Sequence, residues 1–293
     1  MRRLRRTAGL MVLSLLVAGC SSLGGSLSLG SVIDIATSEE GRALIKSFED
    51  LTPEQEYYIG RAVGATVLDQ YRPYDEAEVN DYLNLLGQTL ALASERPEIF
   101  GGYHFLALDS EEINAFATPS GLILVSRGLL RCADSEDEVA AILAHEVGHV
   151  VEKHGLRAIK TSRIQAAGTD LALSQAEQQS PEVVARLTAA FSDSIKDITS
   201  TLINSGYSRS FEKEADLSAL TTLRAAGYDP WALVRMLEVM KEKLTPGGPD
   251  FAKTHPDPAD RVEYLRKELA GTTPAGAAPP ARQARYRAAM AGI

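Results

Sequence analysis

The chain lacks most of what would let it span a membrane, hold nucleic acid or staple itself with disulfides. It has no apolar run of the ~20 residues that a bilayer span requires; the uncharged stretch from Thr7 to Gly19 is too short. Basic residues are in the minority, 30 Lys and Arg against 39 Asp and Glu, and a formal charge of −9 argues against a nucleic-acid partner. Cysteine occurs twice, at Cys20 and Cys132, and no internal repeat is present, so neither a disulfide framework nor a helical-repeat array is available. Histidine is almost as scarce, with five in the chain, so a pair at a meaningful spacing carries weight. What is present suffices for a packed core: 293 residues, 45% of them hydrophobic, allow one large domain or two small ones.

The two ends read differently from the middle. Arg2, Arg3, Arg5 and Arg6 precede the uncharged stretch, the signature of an export signal. That stretch closes in Val17-Ala18-Gly19-Cys20, which resembles a bacterial lipoprotein signal, in which the Cys is lipidated and becomes the first residue of the mature protein; an ordinary cleaved signal is the alternative. The expected organisation is a signal peptide over 1–19, a Ser/Gly-rich tether over 20–32, a folded domain over 33–270 and a disordered Ala/Pro/Arg-rich tail over 271–293. Ser21 after the Cys suggests, by the same resemblance, the outer membrane of a Gram-negative cell, facing the periplasm. Without the signal, 26 basic residues face the same 39 acidic ones, a balance of −13, and Cys132 is the lone thiol. Stability then rests on packing and on metal.

Between the ends the periodicity changes twice. Asp34–Glu49, Pro53–Gln70 and Asp75–Ala93 show helical spacing, the second opened by Thr52-Pro53-Glu54-Gln55 with a cap, a proline at the first helical position and a reciprocal Gln. Tyr103–Leu108 and Gly121–Val125 look like strands, with Ile113–Ala117 between them and a turn at Pro119-Ser120-Gly121. These predict a small, mostly antiparallel sheet with at least one exposed edge. Ser135 then caps a helix that shows one apolar side, Val139, Ile142, Leu143, Val147 and Val150, and that Gly155 is suited to stop. Ile159–Ser205 is Ala-, Ser- and Gln-rich with weaker hydrophobicity. Tyr207–Ala226, Pro230–Lys243 and Ala259–Leu269 read as further helices. The fold class is α+β, mainly helical.

Inside the capped helix stands His145-Glu146-Val147-Gly148-His149. Four residues are a little over one turn, so both imidazoles leave the same face and can share one zinc ion. Glu146, one position on, lies beside the metal, where it can take the proton of an attacking water and return it to a leaving amine. Catalytic zinc takes three protein ligands and keeps one position open, so a third must come from elsewhere. His154 comes five residues after His149 and turns off the metal face, as a structural helix-end residue. In Phe211-Glu212-Lys213-Glu214-Ala215-Asp216, Glu212 and Asp216 share a helix face; Glu212 is the expected ligand and Asp216 the acceptor for the far nitrogen of a ligating His. Glu214 points away and belongs to the solvated face.

Together these motifs resemble the family of the CAAX prenyl protease and HtpX, gluzincin metallopeptidases in which His-Glu-x-x-His is followed by a Glu-x-x-Ala-Asp helix. The likeness extends over about residues 50–270 through Asn114–Ala117, Pro119–Gly121, Ser126–Leu130, Ser208-Arg209, His255-Pro256 and Arg261. Hydrophobic spans of the membrane members are absent, so the chain is similar to the soluble periplasmic branch. The resemblance implies a zincin-type domain with one Zn2+, in which Asn114, Ala115, Phe116 and Ala117 line the cleft and pair with an extended substrate; an ordinary sheet edge is the alternative. It implies for His255 either a block on the zinc or stabilisation of the oxyanion, against a capped turn before Pro256. Arg261 is an oxyanion helper or, preferably, a salt-bridge partner of an acid such as Asp216. His104 is expected to be a packed or surface residue and Cys132 a buried apolar group.

The expected function is zinc-dependent endopeptidase action on unfolded or misassembled envelope proteins, with the membrane engaged through a lipid on Cys20 and the outer-membrane assembly machinery as a docking partner. An assembly factor or chaperone that uses a gated cleft to hold outer-membrane protein clients is the competing function. A structural zinc domain is the third, disfavoured by the base at Glu146.

Overall fold

The computed structural model describes residues 52–158, 206–243, 255 and 258–293. The export signal with Cys20, the tether, the helix expected over 34–49 and the Ala/Ser/Gln-rich segment over 159–205 lie outside the described residues.

Two helices lead into the sheet. Helix α1, Pro53–Gln70, begins at a reciprocal box in which the Thr52 hydroxyl accepts from the Gln55 amide and the Gln55 side chain accepts from the Thr52 amide. Helix α2, Ala77–Ala93, buries Val79, Leu83, Leu86 and Leu90, a three-and-four spacing that turns one stripe inward. Asn80 and Asn84 of α2 bond the backbone of the first strand, Asn84 Oδ1 accepting from Phe105 N at 3.0 Å and Asn80 Oδ1 from Ala107 N at 2.9 Å. They satisfy an outer strand on its unpaired side.

Strands β1 (His104–Leu108), β2 (Ala115–Ala117) and β3 (Leu122–Ser126) form a sheet of order β1-β3-β2. The sheet is mixed: β1 runs parallel to β3, while β2 and β3 are antiparallel. An expectation of mostly antiparallel pairing follows from the short β2–β3 turn; the parallel pair arises because β3 inserts between the two strands that precede it. Residues Gly102, Thr118 and Gly121 close the turn ends by backbone bonds, with Gly121 at φ +76°. Strand β2 is left at the edge.

A single helical turn, α3 (Arg127–Leu130), leads to α4, Glu136–Val151. Ser135 caps α4 through the Glu138 amide, and Glu138 reaches back to the Asp134 amide at 2.6 Å. From Glu136 to Val150 every residue of α4 is buried, not only its apolar side. The remaining helices enclose it: α5 (Arg209–Ala226), capped by Ser208 and ended by Gly227 at φ +76°, then α6 (Trp231–Lys243), α7 (Pro258–Glu268) and α8 (Pro280–Met290).

Helix α8 lies where a disordered tail was expected. It is held by tertiary contacts rather than by its own weak hydrophobicity: Arg285 clasps the Glu136 carboxylate, with Nε at 2.8 Å, and the Tyr286 hydroxyl donates to the Ala133 carbonyl. Glu136 is fully buried and also accepts from the Tyr228 hydroxyl at 3.0 Å. The charged start of α4 is thereby neutralised inside the protein.

Candidate metal centre

Helices α4 and α5 make the site by approaching closely. At their crossing a Cβ on Gly148 would lie 2.7 Å from the Ala215 carbonyl oxygen, so only hydrogen fits there. Two small residues, one from each helix, let the backbones touch and carry Glu212, one turn before Ala215, up to the imidazoles. The His145 and His149 Nε2 atoms face each other at 3.1 Å, and each lies 3.4 Å from a Glu212 oxygen. His255 adds its ring from the segment before α7, with Nδ1 2.8 Å from Glu212 Oε2. One donor atom from each of His145, His149, Glu212 and His255 falls within 4.8 Å of all the others, and all four residues are buried.

Whether this pocket suits a cation is decided by its protons. Each imidazole has its Nδ1 engaged: His145 with Asp216 Oδ1 at 2.8 Å, His149 with His154 Nδ1 at 2.9 Å. The Nε2 lone pairs are thus turned toward one another and toward Glu212, whose Oε1 has no hydrogen-bond partner among the described residues. Burial and the Arg261 charge depress the His145 imidazole, but Asp216 and Glu212 outweigh them and lift it to about 9. Burial and the neighbouring imidazoles press His149 well below its ordinary value against the pull of Glu212. Burial alone would raise the Glu212 carboxyl; His255 and His149 overcome it and hold it far down. A buried set of imidazole and carboxylate donors whose atoms converge within one ion's reach fits a divalent metal well.

Asp216 and Arg261 brace this set from behind. Arg261 donates Nε to Asp216 Oδ2 at 2.9 Å and Nη2 to Oδ1 at 2.6 Å, and the Tyr264 hydroxyl also donates to Oδ2. Burial would raise the Asp216 carboxyl, but Arg261 and His145 keep it ionised, down at about 2. The Arg261 Nη1 atom stands 3.4 Å from Glu212 Oε2, so one guanidinium spans the Glu212 carboxylate and the Asp216 carboxylate that braces His145.

Glu146 lies on the cleft side. Its Oε1 is buried without a hydrogen-bond partner among the described residues, and burial raises its pKa, partly offset by His145 and His255. It shares a cleft of about 390 Å³, part of it open to solvent, with Ala115, Phe116, Ala117, Thr118, Val63, Val67, Tyr207 and His255. Edge strand β2 therefore forms a wall beside the carboxylate. Asn114 sits just before β2, its backbone amide donating to the Ser126 hydroxyl oxygen at 3.1 Å and its Oδ1 accepting from the Ala115 amide at 2.9 Å.

Several residues lie where sequence reasoning did not put them. Tyr207 stacks on the His149 ring, with centroids 4.4 Å apart and planes at 20°, and Val63 and Val67 of α1 line the cleft. An aromatic residue directly before the Ser208 cap was the available signal for Tyr207. Glu214 is partly exposed, as expected of a residue turned from the metal, but it also contacts His154 at 3.2 Å and is held by Arg157. His154 stays out of the donor cluster yet touches His149. His104 is exposed on β1, bonded to the Gly101 carbonyl. Cys132 is buried, its thiol raised chiefly by burial.

A helix offering two imidazoles and a carboxylate at one turn's spacing, completed by a second carboxylate from a crossing helix, is the architecture of a metal-dependent peptidase. Residues 77–269 match the description of peptidase family M48, and the chain belongs to that family, whose members depend on a divalent metal. It is 27% identical over 219 residues to the beta-barrel assembly-enhancing protease of Escherichia coli K12, covering 72% of this chain and 42% of that one. It is 34% identical over 167 residues to the mitochondrial metalloendopeptidase OMA1 of Arabidopsis thaliana, covering 56% and 31%. It is 27% identical over 161 residues to the metalloprotease YcaL of E. coli K12, covering 55% and 60%. The chain spans about half the length, or less, of the beta-barrel assembly-enhancing proteases it matches.

Proposed function

We propose that the chain is a zinc endopeptidase for unfolded or misassembled proteins of the bacterial envelope, with His145, His149 and Glu212 holding the metal and Glu146 acting as the base. The observation that carries this is the placement of the Glu146 carboxylate, its Oε1 without a hydrogen-bond partner among the described residues, in one cleft with that donor set and an open sheet edge. Bound zinc would supply Lewis acidity toward the scissile carbonyl and toward water. Strand β2 aligns an extended substrate by backbone pairing on its outer edge, which selects conformation rather than side chains and so favours unfolded clients. Glu146 receives the proton of the attacking water and passes it to the departing amine; burial, which weakens it as an acid, suits it to both directions. Asp216 keeps the His145 lone pair aimed at the metal.

Four protein donors close a zinc site, whereas turnover needs one position for water and substrate. With its donor atom in the cluster, His255 holds the site shut in this arrangement, and cleavage requires its withdrawal. This gating also favours the second function, client holding with infrequent cleavage. The relatives named as assembly-enhancing proteases support an envelope role at the outer membrane, and the sequence at Cys20 supports a lipid anchor, with residues 20–32 as the tether and 33–270 as the catalytic domain.

The deciding experiment is metal content of the full chain together with cleavage of casein, with and without chelator, in parallel with Glu146→Gln. Stoichiometric zinc and chelator-sensitive cleavage that Glu146→Gln abolishes are expected. Equal cleavage by both forms would sink the enzymatic role, and zinc-loaded protein that binds casein without cutting it would favour the holding function.

A further inference from the structure

The two imidazoles of the donor set are braced differently. His145 leans on a buried carboxylate, Asp216, whereas His149 leans on another imidazole, His154. We propose that His154 and Glu214 form a relay that fixes the tautomer and orientation of His149, which makes His154 a positioning residue of the metal centre. This rests on His149 being a metal ligand.

The relay follows from which atoms can donate. Two Nδ1 atoms 2.9 Å apart are compatible only if one carries the proton and the other offers its lone pair. The far nitrogen of His154, Nε2, is 3.2 Å from Glu214 Oε2, and a carboxylate can only accept. The His154 proton therefore sits on Nε2, and its Nδ1 is the acceptor. His149 must then carry its proton on Nδ1, leaving the Nε2 lone pair directed into the donor cluster. The opposite tautomer of His154 would demand a proton on His149 Nε2, pointing it at the place where a cation belongs.

The surroundings hold the relay in place. The His154 ring stacks on Phe211 with centroids 4.5 Å apart and planes at 8°, and the residue is wholly buried. Arg157 bonds both oxygens of Glu214 and packs over the same Phe211 ring at 4.2 Å. A continuous helix would carry His154 away from His149, since five residues advance the face by well over one turn. The chain instead turns at Glu152 and Lys153, with Lys153 at φ +55°, a conformation uncommon for a side-chain-bearing residue. Lys153 is fastened there by its ammonium on Glu56 at 2.6 Å. That reversal returns His154 to the underside of His149, and helix α5 supplies Glu214 from the same stretch that supplies Glu212.

The test compares the full chain with His154→Phe and Glu214→Ala. His154→Phe retains an aromatic ring to stack on Phe211 but has no nitrogen; zinc affinity, read by competition with a chromophoric chelator, is expected to fall about 10- to 100-fold. Glu214→Ala, a partly exposed position, is expected to weaken zinc in the same direction but less, and it keeps the question open to experiment should His154→Phe not fold. Nitrogen-15 spectra of the imidazoles in the zinc-loaded chain should show His154 protonated at Nε2 and bare at Nδ1. A His154 proton on Nδ1, or zinc affinity unchanged in both variants, would overturn the relay. Failure of the unaltered chain to bind zinc would overturn the metal centre itself, a separate result that the first titration reads directly.

Discussion

The Nδ1 atom of His145 lies 2.8 Å from Oδ1 of Asp216, and that oxygen also takes a hydrogen bond from Arg261 at 2.6 Å. The imidazole of His145 is thus oriented by a carboxylate that a guanidinium keeps charged. Asp216→Asn preserves shape but removes that charge, and zinc affinity is expected to drop about 10- to 100-fold, measured by chelator competition. An unchanged affinity would show that His145 is aimed by packing alone.

Gly148→Ala attacks the crossing of α4 and α5. The new methyl would meet the Ala215 carbonyl oxygen at 2.7 Å and its Cα at 3.2 Å, both backbone atoms that cannot swing aside. The helices must part, at a cost of about 1–3 kcal/mol, and Glu212 withdraws from the imidazoles. Loss of zinc affinity together with a lower melting temperature is expected; a normal zinc titration in the variant would show that Glu212 is not delivered by this contact.

Replacing His255 by Ala removes the fourth donor. If the open form is about 0.1–10% populated in the unaltered chain, emptying that position should raise casein cleavage about tenfold or more, while zinc is held less tightly. Slower cleavage at saturating zinc would instead assign His255 to the reaction itself.

Arg285→Ala leaves Glu136, with no exposed surface, dependent on the Tyr228 hydroxyl. Arg285 is itself 42% exposed at the side chain, so the full penalty of a broken buried pair is not expected; about 2 kcal/mol is. For a domain of this size that corresponds to a drop of about 5 °C in melting temperature, read by calorimetry of the metal-loaded chain. A shift within 1 °C would mean that water replaces the guanidinium at low cost.

The parts of this architecture that could be read in advance are those written in local spacing. The Thr52 box, the Ser135 cap and the one-turn interval from His145 to His149 depend on residues within a few positions of each other. The interval from Glu212 to Asp216 shows one helix face, so a ligand and the acid that braces a ligand could be nominated together, though not their approach to α4. Glu214 is partly exposed, as its opposition to Glu212 implies, but the chain reversal at Lys153 also brings His154 and Arg157 over that side, which spacing along one helix does not show. The parallel pairing of β1 with β3 depends on strand order, which no local pattern encodes. Helix α8 escaped notice for a related reason: its composition is poor in apolar residues, and its partners Glu136 and Ala133 lie about 150 residues upstream.

That last separation decides how much of the chain the domain needs. Glu136, at the head of the metal-binding helix, precedes Arg285 by 149 residues. A chain cut short just before Arg285 would keep every donor from His145 to His255 yet lose the cation that neutralises the buried head of α4. The C-terminal helix, poor in apolar residues, is therefore part of the domain's foundation rather than an appendage to it.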